Sequence, residues 1–302
     1  MNEISANSLS PNSQHTEASS LSSDNFNALL YGHQWSTVDI TFSIINETES
    51  LFSDDYLTDN LNELITGSLN FNPFQEQAIS TALSKWSNVT TINFSEIKET
   101  DNSFGTIRFG LSDKLNTLVG NSSAFAFFPS NLETGGDIWL NANTKDIFDG
   151  ILTESFSESF FEEASFSYSI LVHEIGHALG LKHPFETSAR NFDTLNDDEN
   201  VISNTIMSYT VSLSSDVVGL TAYPTTPMIE DIKAIQHLYG TNNTFNFGNT
   251  SYFFDDSATY FETIWDSGGT DEIVYKGKQP IELSLDSGSG SFIGKRVQGY
   301  SD

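Results

Sequence analysis

The chain has 302 residues, of which 41 are acidic, 12 basic and none cysteine, for a formal net charge of −29. That balance excludes nucleic acid as a partner, because phosphate recognition depends on Lys and Arg, and it disfavours anionic membranes. Without cysteine there are no disulfides, thiolate metal ligands or thiol nucleophile to consider. Hydrophobic residues make up 37% of the chain and include 24 phenylalanines, ample material for a core, and the length suits one large domain plus a smaller piece.

Residues 1–24 are rich in Ser and Asn and offer almost nothing to bury, so they read as a flexible N-terminal tail or a pro-segment. The stretch lacks the basic start and apolar run of a secretory signal, and no later run is apolar enough to span a bilayer. From residue 25 onward order is expected. Val38, Ile40, Phe42 and Ile44 alternate with polar residues, the period of a strand with one buried face. A helix follows from Pro73, with Asn72 as its cap and Phe74, Ala78, Ile79, Leu83 and Trp86 at helical spacing. Short strands are predicted within 91–97, 105–111, 123–129 and 136–141, separated by Gly, Asn, Asp and Ser. A strand, a helix and then several strands predict an α+β domain with a twisted mixed sheet and helices packed upon it. A second helix is expected from Ser165 to Leu179, burying Phe166, Ile170, Leu171 and Ile175 and stopped by Gly180, and a third from Pro227 to Gly240. Beyond that the pattern turns to short strands with Gly, Asn and Asp turns. A boundary near residue 240 therefore divides a domain at 25–240 from a small β domain at 241–302.

The chemistry concentrates in "HEIGHALGLKH", residues 173–183. On a helix, residues four apart project from nearly the same face, so His173 and His177 can reach one cation. Zinc accepts neutral imidazoles and in catalytic sites commonly takes three protein ligands, leaving a position for water. Gly180 is free to adopt positive φ and turn the chain back, which makes His183 the candidate third ligand. Glu174 is the candidate general base for a zinc-bound water whose pKa the metal has lowered. His15, His33 and His237 lie outside this motif and read as structural or solvated.

"HEIGHALGLKHP" is similar to the zinc signature of the metzincin endopeptidases, and Pro184 after the third histidine resembles the serralysin branch rather than the matrixins or astacins. "SNTIMSYT" resembles the family's Met-turn. The resemblance implies Met207 as an apolar floor under the metal and Tyr209 as an additional zinc ligand that swings aside to stabilise the oxyanion. Taken alone, Met207 reads as an ordinary core residue and Tyr209 as a half-buried phenol with a hydrogen-bond partner. "LLYGHQWSTVDITFSI" and "TPMIEDIKAIQHLYG" are similar to the family's first strand and to the closing helix of its catalytic domain. "SAFAFFPSN" resembles its substrate-pairing edge strand, carried here by Ala124, Phe125, Ala126 and Phe127. An unpaired edge grips extended peptides by their main chain, although on pattern alone this stretch fits a buried strand equally well. The loop at 210–227 is implied to line a specificity pocket.

In the C-terminal part, "WDSGGTDEIVY" resembles the entry to the family's calcium-binding β-roll, with Asp266, Asp271 and the Gly268 carbonyl as oxygen donors. Where the family carries an aspartate in the partner loop, "NFGNT" places Asn249, which removes one charge. The nonapeptide repeats that accompany type I secretion do not occur. The implied function is a zinc-dependent endopeptidase, secreted by that non-classical route, monomeric, with structural calcium, acting on protein or peptide substrates and open to a proteinaceous inhibitor. The alternatives are a catalytically silent zinc- and calcium-binding protein of the same fold, or a zinc hydrolase acting on another amide.

Overall fold

The structure, a computed structural model, describes residues 15–17, 24–45, 52–53, 56, 61–100, 103–120, 122–143, 163–211 and 219–300. Most of the expected tail lies outside these residues, but His15–Glu17 forms a strand (β1). A 3-10 turn at Asn25–Leu29 and strand β2 at His33–Trp35 follow, and β1 pairs antiparallel with β2. The expectation of a tail with nothing to hold it fails at these three residues. His15 packs its ring 4.6 Å from that of His33, and its backbone N–H donates to Asn131 Oδ1 at 3.3 Å. Local composition could not show a docking partner supplied by strand β2 and by a loop more than a hundred residues away.

Strand β3 (Asp39–Ile44) buries Ile40 and Phe42, as the alternation predicts, while Val38 stays exposed just before it. Two short elements, α1 (Leu61–Thr66) and β4 (Ser68–Leu69), lead to α2 (Pro73–Val89). Asn72 caps α2 reciprocally with Gln75: each side chain accepts from the other's backbone N–H, at 2.9 and 2.8 Å, with Pro73 in the first turn. Then come β5 (Asn93–Glu96), β6 (Ile107–Ser112), a short helix α3 (Leu115–Val119), β7 (Ala124–Ala126) and β8 (Ile138–Asn141). The sheet runs β5-β3-β6-β8-β7, with β4 attached to β6. Its central pairings are parallel, and β7 closes it as an antiparallel edge strand on β8.

Helix α4 (Phe166–Ala178) and α2 cover one face of the sheet in a single core with Ile40, Phe42, Ile107, Phe109 and Ile138. Trp86 fastens the two helices, its indole N–H donating to the Val172 carbonyl at 3.1 Å. Ile45, Tyr56, Leu61, Leu64, Leu115 and Trp139 cover part of the other face, which explains why every residue of β6 is buried. The chain continues through β9 (Gly219–Leu220) and α5 (Ile229–Tyr239), which ends at Gly240. Strands β10 (Ser251–Asp255) and β11 (Glu272–Lys276) pair in parallel, and β12 (Gly299–Tyr300) returns to β9. Residues 212–218 of the loop expected to line a specificity pocket lie outside the described residues.

Candidate metal centre

Helix α4 begins at Ser165, whose hydroxyl accepts from the Tyr168 N–H at 3.1 Å, and its end shapes the centre. Gly180 takes φ +108°, the Gly180 N–H bonds the His177 carbonyl, and the Leu181 N–H bonds the Gly176 carbonyl, both at 2.9 Å. This is a Schellman ending. Only glycine suits it, because a β-carbon at Gly180 would also strike the His33 carbonyl oxygen. The reversal brings His183 back over the helix face that carries His173 and His177.

The three Nε2 atoms form a nearly equilateral triangle, with His173–His177 at 3.1 Å, His173–His183 at 3.2 Å and His177–His183 at 3.1 Å. The Nδ1 of His173 lies 2.7 Å from the Ile206 carbonyl and that of His177 lies 2.7 Å from the Leu181 carbonyl. A carbonyl only accepts, so both Nδ1 atoms carry the proton and both Nε2 lone pairs point into the triangle. Burial, and then the neighbouring imidazoles, hold His173 down to about 3 and His177 well below the ordinary histidine range. The rings are neutral, as metal ligands must be. Tetrahedral zinc with ligands at ~2.0 Å has them ~3.3 Å apart, close to the triangle's edge. Lone pairs facing one another repel, and a cation between them turns that repulsion into three bonds, so the donor set fits zinc. Among the described residues this is the one group of three or more His, Asp or Glu whose donor atoms converge.

Glu174 is 6% exposed, its Oε2 has no hydrogen-bond partner, and burial pushes its carboxyl up to about 8. Met207 is fully buried, and its sulfur lies so near Gly176, between the two helical histidines, that a β-carbon there would come within 2.7 Å of it. Tyr209 is exposed, with its hydroxyl 2.7 Å from His183 Nε2 and its ring stacked over His173 at 5.7 Å. Strand β7 lies at the sheet edge against α4, and its sequel, Phe128, packs edge-on to His177 at 5.3 Å. Phe127 falls beyond the strand: its N–H bonds the Asp137 carbonyl and its carbonyl accepts from Gly136, closing the hairpin to β8. Phe125 and Phe127 turn towards the outer cluster, while Ala126 packs on the inner core.

The family model for the matrixin peptidases, M10, matches residues 62–240, the span holding every residue of this centre. The chain belongs to that family. Serralysin of Photorhabdus sp. (strain Az29) is 30% identical over 285 residues, 87% of this chain and 55% of its own length. Serralysin C of Dickeya chrysanthemi is 31% identical over 275 residues, 85% of this chain and 53% of its own. Serralysin G of the same organism is 33% identical over 250 residues, covering 76% and 49%. The chain thus spans about half the length of these curated relatives. The fold is the metzincin catalytic-domain fold, of the serralysin type that the histidine motif pointed to.

Two residues absent from the motif reading support the centre from behind. Asp231, fully buried in the first turn of α5, accepts from the Thr205 hydroxyl (2.5 Å), the Ile206 N–H (2.7 Å) and the Met228 N–H (2.8 Å). It thereby anchors the backbone at Ile206, the residue whose carbonyl orients His173. The available signal was an acid three residues into a helix, where it can reach back to the cap. Glu186 places Oε2 3.0 Å from His183 Nδ1. The residues expected to bind calcium are spread over two adjoining loops. Asp266 accepts from the Tyr252 hydroxyl (2.6 Å) and the Gly268 N–H (2.9 Å), Asp271 from Thr250 N–H (2.9 Å), and Asn249 from Thr270 N–H (2.9 Å).

Proposed function

We propose that the chain is a zinc-dependent endopeptidase in which His173, His177 and His183 hold the metal. The convergence of three Nε2 lone pairs, with N–H groups turned outward to carbonyls, carries this reading. Bound there, zinc would lend Lewis acidity to a water and to the scissile carbonyl. Glu174 would take the proton from the water and pass it to the leaving amine, since a cation held by the neighbouring histidines would favour its ionised form against burial and its Oε2 has no other partner. Tyr209, with its hydroxyl at the triangle's mouth, would complete the ligand set at rest and donate a hydrogen bond to the oxyanion during turnover. Met207 would serve as the apolar floor. The free edge of β7, at Ala124, Phe125 and Ala126 and running on to Phe127, would pair with an extended substrate main chain, which suits cleavage within proteins.

Elemental analysis together with casein degradation, with and without chelator, tests the proposal. One zinc per chain and chelator-sensitive internal cleavage are expected. Zinc without cleavage would favour a silent binding protein, and cleavage confined to small amides another hydrolase. Calcium is proposed at Asp266, Asp271, Asn249 and the Gly268 carbonyl, oxygen donors on two adjoining loops that border a parallel strand pair; calorimetric titration with calcium tests it. Export by a type I route, a monomeric state, a proteinaceous inhibitor and a domain division near residue 240 complete the reading.

A further inference from the structure

Lys182, between the helix end and the third histidine, is 1% exposed, yet no carboxylate among the described residues receives its ammonium group. Its three donors go to three backbone carbonyls: Ala28, Glu186 at 2.7 Å and Asp193 at 2.9 Å. An ammonium has three N–H donors, so the group is saturated, and three carbonyls converge on it from separate stretches of the chain. Taking a lysine out of water is costly unless such partners compensate. The arrangement is that of a cation held in an oxygen cage, with the cation supplied by a side chain.

The loop that follows His183 has little apolar packing to hold it. From Leu179 to Val211 there is no helix or strand, and between Phe185 and Asn200 Leu195 is the one buried apolar side chain. The loop is fixed by polar bonds to the backbone of residues 27–31. The Lys182 N–H bonds the Leu29 carbonyl, the buried Asn191 amide donates to Asn27 and Leu30, and the Ser188 hydroxyl donates to Tyr31. Glu186, whose carbonyl Lys182 holds, is also the residue whose carboxylate lies beside His183 Nδ1.

We propose that Lys182 is the resident structural cation of the third-ligand loop, clasping residues 28, 186 and 193 so that His183 is presented to the metal in its binding geometry. The inference rests on the zinc reading above and adds a positioning residue to it. Removing a partner that orients a ligand typically costs about 10- to 100-fold in metal affinity, and a loss of that size is expected for Lys182→Met, which keeps the length of the side chain and drops its donors.

Zinc retention against a competing chelator, and amide hydrogen exchange across residues 183–195, would be measured in wild type, Lys182→Met and Lys182→Ala. Expected are at least tenfold weaker zinc retention in both variants, faster exchange confined to that loop, and hydrolysis that returns with excess zinc. For Lys182→Ala, propylammonium should restore both zinc retention and protection, whereas tetramethylammonium, a cation without N–H donors, should not. Zinc retention of Lys182→Met within twofold of wild type would overturn the proposal. So would failure of propylammonium to rescue Lys182→Ala, including the case where neither variant folds. A wild type that retains no zinc would defeat the zinc reading instead, and exchange in the loop would still decide whether Lys182 holds it.

Discussion

Substituting Asp231 by alanine tests whether the metal centre depends on a carboxylate that never touches the metal. The side chain is fully buried and accepts from two backbone N–H groups, of Ile206 and Met228, and from the Thr205 hydroxyl. The hydroxyl can rotate, and it already accepts from the Met207 N–H at 3.1 Å, so it loses little. The two peptide N–H groups have no such freedom. Leaving a buried donor without a partner costs about 1–3 kcal/mol each, which places the loss at about 3 kcal/mol once relief of the buried carboxyl is set against it. With a urea m-value of about 3 kcal/mol/M, the midpoint of the zinc-free protein should fall by about 1 M. The Ile206 carbonyl that orients His173 would also shift, so zinc affinity should fall by about tenfold. Asp231→Asn, which keeps an acceptor for both N–H groups, should recover most of both losses. Urea unfolding of zinc-free protein and a chelator competition measure the two effects. A loss below 1 kcal/mol for Asp231→Ala with unchanged zinc affinity would refute the reasoning.

Glu174→Gln should retain one zinc per chain and lose at least a hundredfold in kcat, because the ligands survive while the base does not; elemental analysis beside casein hydrolysis checks this. Gly180→Ala should destabilise by about 2 kcal/mol or more and weaken zinc retention, since alanine is strained at φ +108° and its β-carbon meets a backbone carbonyl; thermal melting and chelator competition read it. Burial pushes the Asp231 carboxyl up to about 7, from an unfolded value near 3.9, despite its three hydrogen-bond donors. The folded state therefore holds an extra proton between about pH 4 and 7, so this contribution is complete below that window and is lost as the pH rises through 7. Measured on zinc-free protein, the stability difference between wild type and Asp231→Asn should decline across the window by up to about 1.4 kcal/mol per pH unit. A flat difference would show that the three donors keep the group ionised.

Much of the protein follows from local pattern. The alternation at residues 38–44, the Asn72 cap followed by Pro73, and the glycine after Leu179 each act within a few residues, so the strand, the helix start and the helix stop were legible in the chain. The histidine spacing was legible for the same reason, because a helix converts a separation of four into one face. Where each element docks was not legible. Tertiary folding alone placed β7 at the sheet edge, since its stretch fits a buried strand equally well, and it alone paired residues 15–17 with 33–35. Nothing in the local pattern around Lys182 or Asp231 marks either charge as buried. They become supports of the candidate centre because folding adds distant partners to near ones, Ala28 at 154 residues from Lys182 and Ile206 at 25 from Asp231. Periodicity records what a residue does within its own turn or strand, whereas a buried charge is defined by partners that only the folded chain assembles.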